Sequence, residues 1–347
     1  MTNTKKIKYM INSFFFQKQL FERYLDKEFD FDFTPRVTNV RLPAFLYVPL
    51  NMATIWFYYF FGKMKNYGII HLNRAEAFLL FKKIPGQISI FEIHGFDIGV
   101  CGELYLKDLH SPTKQRLGLF LDKLIENKIK KNIQLADIFY CSTPDLVEPI
   151  TKWCGRKPTW LPNPIDTSLF VPEGGVIKLE GEPACFLAAR LHGDKKPEVA
   201  IDIFENTIKK HFSKATLHLI ASGELTDLYK RKLNDSKTYF WHGYMSKEEL
   251  AAKLRGADLV FGDFSIGALS LLPMQVMALR RPLVSFDNYE TLKTSVAEMP
   301  GLAIKLLTDD KFKNDIVEKN YQYILNNHDS ESVAKIHYNN LLNFKKI

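Results

Sequence analysis

The sequence predicts an α/β protein made of two doubly wound domains, each built on a parallel β-sheet. Its 347 residues, of which 46% are hydrophobic, suffice for two ordinary domain cores. Short apolar runs alternate with longer amphipathic segments, which is typical of parallel strands joined by crossover helices. The alternation breaks off once, over residues 166–183, and then starts again. Two α/β domains separated by a connection account for this pattern.

In the first half, the predicted strands are short apolar runs. The N-terminal stretch MTNTKKIKYMINSFFFQKQLF predicts a first buried strand and a turn rather than a signal peptide, because its apolar run is short and lacks a small-residue cleavage site. A lysine-rich helix is predicted near residues 115–134, and further strands are predicted at 68–72, 88–95 and 136–143. The predicted N-terminal domain covers residues 1–165.

The second half repeats the alternation after a connection. Residues 166–183 contain two prolines and a Gly-Gly pair and show no sustained period, so they predict an interdomain connection. A helix is predicted at 198–212, and strands are predicted at 184–190, 215–223, 238–244, 257–264 and 282–286. The predicted C-terminal domain covers residues 166–325.

The tail, residues 326–347, predicts a closing helix. Asp329 and Ser330 are suitable capping residues for its start. Apolar residues then recur at roughly helical spacing, at Val333, Ile336 and Leu341.

Charge and cysteine content restrict the partners and the compartment. The net charge of +8 favours an anionic partner, which could be a nucleotide, a lipid headgroup or nucleic acid. The four cysteines lie far apart and form no C-x-x-C pair, so neither a zinc site nor a disulfide framework is predicted. A reducing cytoplasm fits this pattern best.

The stretch PAFLYVPLNMATIWFYYFF, residues 43–61, is uncharged, aromatic and nearly long enough to span a bilayer. Two prolines and Asn51 interrupt it, so we expect a core helix or a membrane-surface helix instead of a span. The first 65 residues also carry basic side chains at Lys5, Lys6 and Lys8. This combination suits peripheral membrane contact and a lipid-linked acceptor. Packing of the aromatic residues in the core of the first domain is the preferred alternative.

The most specific stretch is ADIFYCSTPDLVEPITKWCGRKPTWLPNPIDTSLFVP, residues 136–172. It resembles the signature AD…VS..l…PNgVD...F.P, which leads from the first to the second domain of GT-B glycosyltransferases, in particular the large retaining family GT4. The matching positions are Ala136, Asp137, Ser142, Pro162, Asn163, Asp166, Phe170 and Pro172. The resemblance implies the GT-B fold, in which two Rossmann-like doubly wound domains face each other across a cleft.

The resemblance continues in ARLHGDKKPEVAIDIF, which is similar to the family pattern GR....KG...AI.AF. In that family, an arginine and a lysine after the first strand of the second domain bind the diphosphate of the donor. The corresponding residues are Arg190 and either Lys195 or Lys196, of which Lys196, followed by Pro197, is the better match to Lys-Gly. Such cations stabilise the charge that develops on a leaving nucleoside diphosphate.

Two further positions are implied by the resemblance to lie at the donor. LIASGEL is similar to a family strand that ends in a glycine turn, where Gly223 would allow close approach of a ligand. YFWHGYMSKEEL is similar to a loop that lies near the nucleotide base in the family, which makes His242 a candidate for donor binding.

The candidate catalytic residues lie in FEIHGFDIG. This stretch looks like the HG.D segment of the family, where the histidine lies close to the transferred sugar. The corresponding residues are His94 and, nearby, Asp97. A structural hydrogen-bonding role for His94 is an equal alternative.

The segment FGDFSIGALSLLPMQVMALRRPLVSF, residues 261–286, departs from the family. There the pattern has two glutamates, but here Gly267 and Gln275 occupy those positions, and Arg280 stands where a glycine is usual. The backbone of a diphosphate site is retained, because small residues and a potential N-cap precede a predicted helix. The residues expected to form it are Gly267, Ala268, Leu269 and Ser270. Glutamine keeps an acceptor oxygen but loses the charge, so altered donor selection is expected.

The predicted activity is that of a retaining, hexosyltransferase-type enzyme that moves a sugar from a UDP- or GDP-linked donor to a hydroxyl acceptor in glycan or glycolipid synthesis. The resemblance implies no metal and no cofactor beyond the donor. The alternative is a non-catalytic GT-B scaffold or regulatory subunit, because both glutamates and a Gly-Gly loop near the N-terminus are missing. Nucleic acid is disfavoured as a partner, because the sequence shows no binding motif and no arginine-rich stripe. The expected location is the cytoplasm, with membrane association through residues 1–65 as an added hypothesis.

Overall fold

The computed structural model describes residues 6–11, 17–33, 63–73, 85–93, 130–131, 133–264, 269–286 and 295–344. These residues form two compact units. The first contains the described residues up to Pro164 together with the helix Ser330–Phe344, and the second contains Ile165–Asp329. Each unit is organised around one parallel β-sheet. The predicted α/β class with two doubly wound parallel sheets is therefore confirmed.

The sheet of the first unit has six strands in the order β2-β1-β3-β4-β5-β6, and every neighbouring pair is parallel. The strands are β1 (Ile7–Ile11), β2 (Phe29–Phe33), β3 (Ile69–Asn73), β4 (Ile88–Ile93), β5 (Ile138–Cys141) and β6 (Thr159–Trp160). Every residue of β4 and β5 is buried, as expected for central parallel strands that are covered on both faces. The sequence alternation thus predicted β1, β3, β4 and β5 correctly.

Two strands of this sheet were not predicted, and their position explains why. β2 lies at the sheet edge, where Phe29 and Phe31 are buried while Asp30 and Asp32 are exposed. Its sequence therefore alternates instead of forming an apolar run. β6 at the other edge is only two residues long.

The second unit has a five-stranded parallel sheet in the order β11-β10-β7-β8-β9. This order, with the first strand in the middle, is that of a doubly wound sheet. Each predicted strand of the second half is present: β7 (Ala184–Leu187), β8 (Thr216–Ile220), β9 (Tyr239–His242), β10 (Leu259–Phe261) and β11 (Leu283–Val284). Apolar cores cover both faces of this sheet.

The described helices cover these sheets. They are α1 (Gln17–Leu25), α2 (Val147–Cys154), α3 (Pro197–Ile203), α4 (Lys209–His211), α5 (Thr226–Lys232), α6 (Lys247–Gly256), α7 (Leu271–Ala278), α8 (Met299–Thr308), α9 (Asp310–Asn327) and α10 (Ser330–Phe344). A π-helical turn, Phe204–Ile208, joins α3 to α4, so the predicted helix at 198–212 is continuous. None of the described helices combines the length and apolar composition needed to cross a membrane. The aromatic stretch 43–61 lies outside the described residues.

The closing helix α10 is attached to the first sheet by a line of five buried side chains. Tyr9 Oη lies 2.9 Å from His71 Nδ1 and 2.8 Å from His337 Nε2. At the two ends of the line, His71 Nε2 lies 2.7 Å from Glu92 Oε2, and His337 Nδ1 lies 3.2 Å from the hydroxyl of Tyr140. The line therefore connects four strands of the sheet with the last helix.

With Glu92 ionised, the donor of each hydrogen bond in the line is determined. A carboxylate only accepts, so His71 donates from Nε2 to Glu92 and accepts at Nδ1 from the hydroxyl of Tyr9. Tyr9 in turn accepts from His337 Nε2, and His337 accepts at Nδ1 from Tyr140. Both imidazoles are neutral in this assignment. Burial lowers the pKa of His71 to about 3 and that of His337 well below its ordinary value, in agreement with it.

These buried imidazoles predict a pH dependence of stability. In the unfolded chain they take up protons near pH 6.5, whereas the folded chain holds His71 neutral down to about pH 3. The unfolded state therefore binds more protons below pH 6.5, and the free energy of unfolding should fall as the pH is lowered from 7 to 5. Each such histidine contributes at most about 1.4 kcal/mol per pH unit. Urea unfolding followed by circular dichroism at several pH values measures this slope.

His71→Gln should reduce the slope, and His211→Gln, at an exposed position of α4, should not. Equal slopes in the wild type and in His71→Gln would contradict the assignment.

Candidate functional site

The predicted donor residues follow the strands of the second sheet. Because all five strands run in the same direction, the loops that follow them meet at one edge of the sheet, which we call the strand-end edge. The described strands end there at Leu187, Ile220, His242, Phe261 and Val284. Ligands of doubly wound folds bind at this kind of edge.

Arg190 lies on the loop after β7, next to a residue whose backbone is fixed. The amide of Leu191 donates to the carbonyl of Ser222 at 2.7 Å, and its carbonyl accepts from the amide of Leu225 at 2.9 Å. Leu191 is buried, whereas the side chain of Arg190 is exposed. Arg190 forms no ion pair with any residue in the described ranges. A solvent-facing guanidinium is thus presented from a rigid loop.

Gly223 lies against this same loop. Its φ of 117° is unfavourable for residues with a side chain, and a Cβ atom at this position would lie 2.3 Å from the carbonyl oxygen of Leu191. Glycine is required here because the loops after β7 and β8 contact each other through their backbones. The sequence predicted close approach of a ligand at Gly223; in the structure the group that lies against Gly223 is the loop that carries Arg190.

Lys195 connects two loops of the strand-end edge. It ends the turn Gly193–Lys195, and its Nζ lies 3.3 Å from Oδ2 of Asp263, which follows β10. The lysine side chain is 17% exposed and that of Asp263 is 3% exposed, so the pair is largely shielded from water. The amide of Phe264 also donates to the carbonyl of Lys195 at 3.2 Å.

The backbone distinguishes Lys195 from Lys196. Lys196 has φ 45° and ψ 54°, the left-handed region that glycine favours. Matching Lys195 to the lysine of the family's Lys-Gly pair would place Lys196 at the glycine, which agrees with this backbone conformation. This favours Lys195, the alternative that the sequence ranked second. Arg280, at another family glycine position, is left-handed as well, with φ 51°.

α7 begins after the loop that follows β10, so its start lies at the strand-end edge. Ser270 stands at its N-cap with φ −81° and ψ 166°, but its side chain makes no capping hydrogen bond. Pro273 has no amide hydrogen, so the first amides that α7 offers are those of Leu271 and Leu272. Leu269 is buried, and Gln275 is half-buried in the second turn. Gly267 and Ala268 lie outside the described residues, as do His94 and Asp97.

His242 ends β9, but protein groups occupy both of its ring nitrogens. Its Nδ1 accepts from Lys253 at 3.0 Å, and its Nε2 donates to Nδ1 of His218 at 3.0 Å. His218 then donates from Nε2 to the carbonyl of Glu180 at 2.9 Å. Burial and the charge of Lys253 lower the pKa of His242 to about 4, so the ring is neutral at pH 7. In the structure His242 therefore belongs to an internal hydrogen-bond line.

Asp263 is the residue of this edge that the sequence analysis missed. Its carbonyl accepts from Ser285 Oγ and from the amide of Phe286, both at 2.9 Å, which fixes its position after β10. An acid near the end of the strand predicted at 257–264 was the available signal. Its partner Lys195 lies 68 residues earlier, so the pairing itself is a tertiary feature.

In the described part of the chain, no group of three or more His, Cys, Asp or Glu residues is arranged to hold a metal ion. The charged side chains at the strand-end edge include Arg190, the Lys195–Asp263 pair and Glu224, whose Oε1 lies 3.5 Å from Nε2 of His192.

Several solved structures with the same architecture are glycosyltransferases. Sucrose-phosphate synthase from Thermosynechococcus elongatus matches with a TM-score of 0.74 over 98% of both chains, at 13% sequence identity. HepE from Anabaena, solved with UDP and glucose, has a TM-score of 0.65 and 11% identity, over 97% of this chain and 99% of its own. An alpha-glucosyltransferase, solved with UDP-glucose and DNA containing an abasic site, has a TM-score of 0.60 and 10% identity, over 99% and 100%.

No protein-family model matches the sequence, and no characterised protein matches it at the level of sequence. Identities this low establish the architecture alone. The chain therefore has the two-domain GT-B fold found in glycosyltransferases.

Proposed function

We propose that the protein is a glycosyltransferase that binds a nucleotide sugar at the strand-end edge of its second unit. One observation carries this proposal: the exposed guanidinium of Arg190 and the ammonium of Lys195 come from one short segment after β7, at the edge where doubly wound folds bind ligands. The start of α7, where the Ser270 side chain makes no capping hydrogen bond, adds backbone amides at the same edge, which suits a phosphate group.

The chemistry of glycosyl transfer explains why these groups are useful. The bond between the anomeric carbon and the diphosphate breaks while the acceptor oxygen bonds to that carbon, and the proton of the acceptor hydroxyl passes to a diphosphate oxygen. Negative charge on the leaving diphosphate increases during this step. A guanidinium carried by a rigid loop and a largely shielded ammonium stabilise that charge more in the transition state than in the bound donor.

The finer assignments follow from the family resemblance and are part of the proposal. The donor is a UDP- or GDP-linked hexose, transfer occurs with retention and without a metal, and His94 and Asp97 lie at the transferred sugar. The acceptor is a hydroxyl of a glycan or a lipid-linked glycan, reached in the cytoplasm with peripheral membrane contact through residues 1–65.

The loss of the two family glutamates changes the donor site without removing its phosphate-binding part. Gln275 lies half-buried in α7 and supplies one amide oxygen where the family has a carboxylate. Glycine at position 267 supplies no side chain. Because both ring nitrogens of His242 are occupied, we assign it a structural role next to the donor and leave it out of the binding set.

Calorimetric titration with UDP, GDP and their hexose conjugates tests this function. We expect micromolar binding of one nucleotide class. Arg190→Ala and Lys195→Ala should each weaken it by about 10- to 100-fold, as is typical of charge-assisted hydrogen bonds. Arg231→Ala, at an exposed position of α5, is the matched control and should leave the affinity unchanged.

Two outcomes would count against the proposal. Unchanged nucleotide affinity in Arg190→Ala would show that the donor does not bind at the strand-end edge. A folded chain that binds no nucleotide at all would support the non-catalytic alternative, which the absence of both family glutamates favours.

Asp263 offers a separate test, because Asp263→Asn keeps an acceptor for Lys195 and removes a negative charge beside the diphosphate. The free diphosphate carries one more negative charge than the nucleotide sugar. We therefore expect product nucleotide to bind about 3- to 10-fold more tightly and the nucleotide sugar to gain less. Titration of both ligands measures the difference. Asp258→Asn, before the same strand β10, is the control, and weaker product binding in Asp263→Asn would refute this electrostatic role.

A further inference from the structure

The second unit contains a cavity of about 500 Å3 at the other edge of its sheet. Pro183, Asp258 and Pro282 line it, and each directly precedes a strand. Since all five strands are parallel, the starts of the strands lie at the edge opposite the strand-end edge. The volume lies within the range of small-molecule sites in proteins. We call it the Arg281 cavity, after the arginine that lines it.

Arg281 brings a half-buried positive charge to this cavity. Its Nε and Nη2 both donate to the carbonyl of Ala257, with Nε at 3.2 Å. Within the described residues it forms no ion pair, although Asp258 lies near enough to offset part of its charge. Burial accordingly lowers the pKa of this guanidinium. Removing a charge from water costs free energy, and hydrogen bonds to one neutral carbonyl compensate only part of that cost. An anion bound in the cavity would compensate more of it.

The other two cations of the cavity are already neutralised. Arg280 lies 3.0 Å from Glu318, and its guanidinium stacks 4.2 Å from the ring of Tyr321. Lys313 Nζ lies 2.5 Å from the carboxylate of Asp310. Arg281 is thus the cation from which an anionic ligand would gain most.

The rest of the lining restricts what kind of anion fits. Glu182, Asp258 and Asn314 also line the cavity. The Glu182 carboxylate lies 3.3 Å from Lys214 Nζ, and Oδ2 of Asp258 accepts from the amide of Ala184 at 2.8 Å, so both carboxylates keep oxygen atoms for further hydrogen bonds. They disfavour a ligand that is anionic throughout, but they accept hydrogen bonds from hydroxyl groups. Phe212 and Leu306 add apolar wall, which suits the C–H face of a ring.

We propose that the Arg281 cavity is a second ligand site, which binds a small phosphate ester rich in hydroxyl groups, such as a sugar phosphate. The phosphate lies at Arg281, and the hydroxyl groups lie at the carboxylates and at Asn314. All residues that carry this assignment belong to the second unit, and none of them belongs to the strand-end edge. The proposal is independent of the donor site.

Calorimetric titration of the full chain with glucose 6-phosphate, glucose and inorganic phosphate tests this site. Glucose 6-phosphate should bind with one-to-one stoichiometry, inorganic phosphate at least 10-fold more weakly, and glucose not measurably. Arg281→Gln should reduce the affinity for glucose 6-phosphate at least 10-fold. Since that change also removes hydrogen bonds to Ala257, Asn314→Phe is the second variant: it fills the cavity from an exposed position of α9 and should have the same effect.

Arg190→Ala serves as the control, because it alters only the strand-end edge and should leave this binding unchanged. Absence of binding, or binding that Arg190→Ala abolishes while both cavity variants retain it, would overturn the proposal. Equal affinity for inorganic phosphate and glucose 6-phosphate would overturn the assignment of a phosphate ester.

Discussion

The parallel direction of the five strands in the second sheet is the constraint on which the rest of the account depends. It collects the loops after every strand at one edge, so residues far apart in sequence become neighbours. Two contacts between loops make that edge rigid. The backbone of Leu191 is held by the loop that contains Gly223, and the side chain of Lys195 is held by Asp263. Arg190 directly precedes Leu191, and a rigid backbone of this kind is what transition-state stabilisation by a cation requires.

Buried polar lines stabilise both units in a similar way. In the first unit, Tyr9 joins two neutral imidazoles and attaches the last helix to four strands of the sheet. In the second unit, Lys253, His242 and His218 form a shorter line that ends at a backbone carbonyl. All hydrogen bonds of a line form together only when every member has the assigned protonation state. Such networks therefore favour one arrangement of the core and are sensitive to pH. The line through His242 explains why a histidine at the end of a strand is not available to a ligand.

The fold could be predicted from the sequence because central parallel strands are apolar on both faces, and β4 and β5 are buried at every residue. The edge strand β2 was missed for the opposite reason, since Asp30 and Asp32 face outward. Arg190 and Gly223 were selected as candidate donor-site residues from motif spacing. The choice between the two lysines depended on a backbone angle that no residue pattern shows. A left-handed backbone conformation costs about 1–2 kcal/mol at a residue that has a side chain. The usual sequence signal for this conformation is glycine, so it cannot be predicted where another residue adopts it.

Contacts between residues far apart in sequence could not be predicted either. The Lys195–Asp263 pair and the surroundings of Arg281 arise only when the strands are assembled. They place charge at both edges of the same sheet. The proposed diphosphate site and the proposed ligand site at Arg281 are compatible, because β10 separates Asp263 from Asp258.

The most direct measurement of the central claim is a crystal structure of the full chain with bound UDP or GDP. The account predicts a diphosphate at the strand-end edge, with its oxygens in hydrogen-bonding contact with Arg190 and Lys195 and near the first amides of α7. A nucleotide bound elsewhere on the chain, with Arg190 still facing solvent, would contradict it.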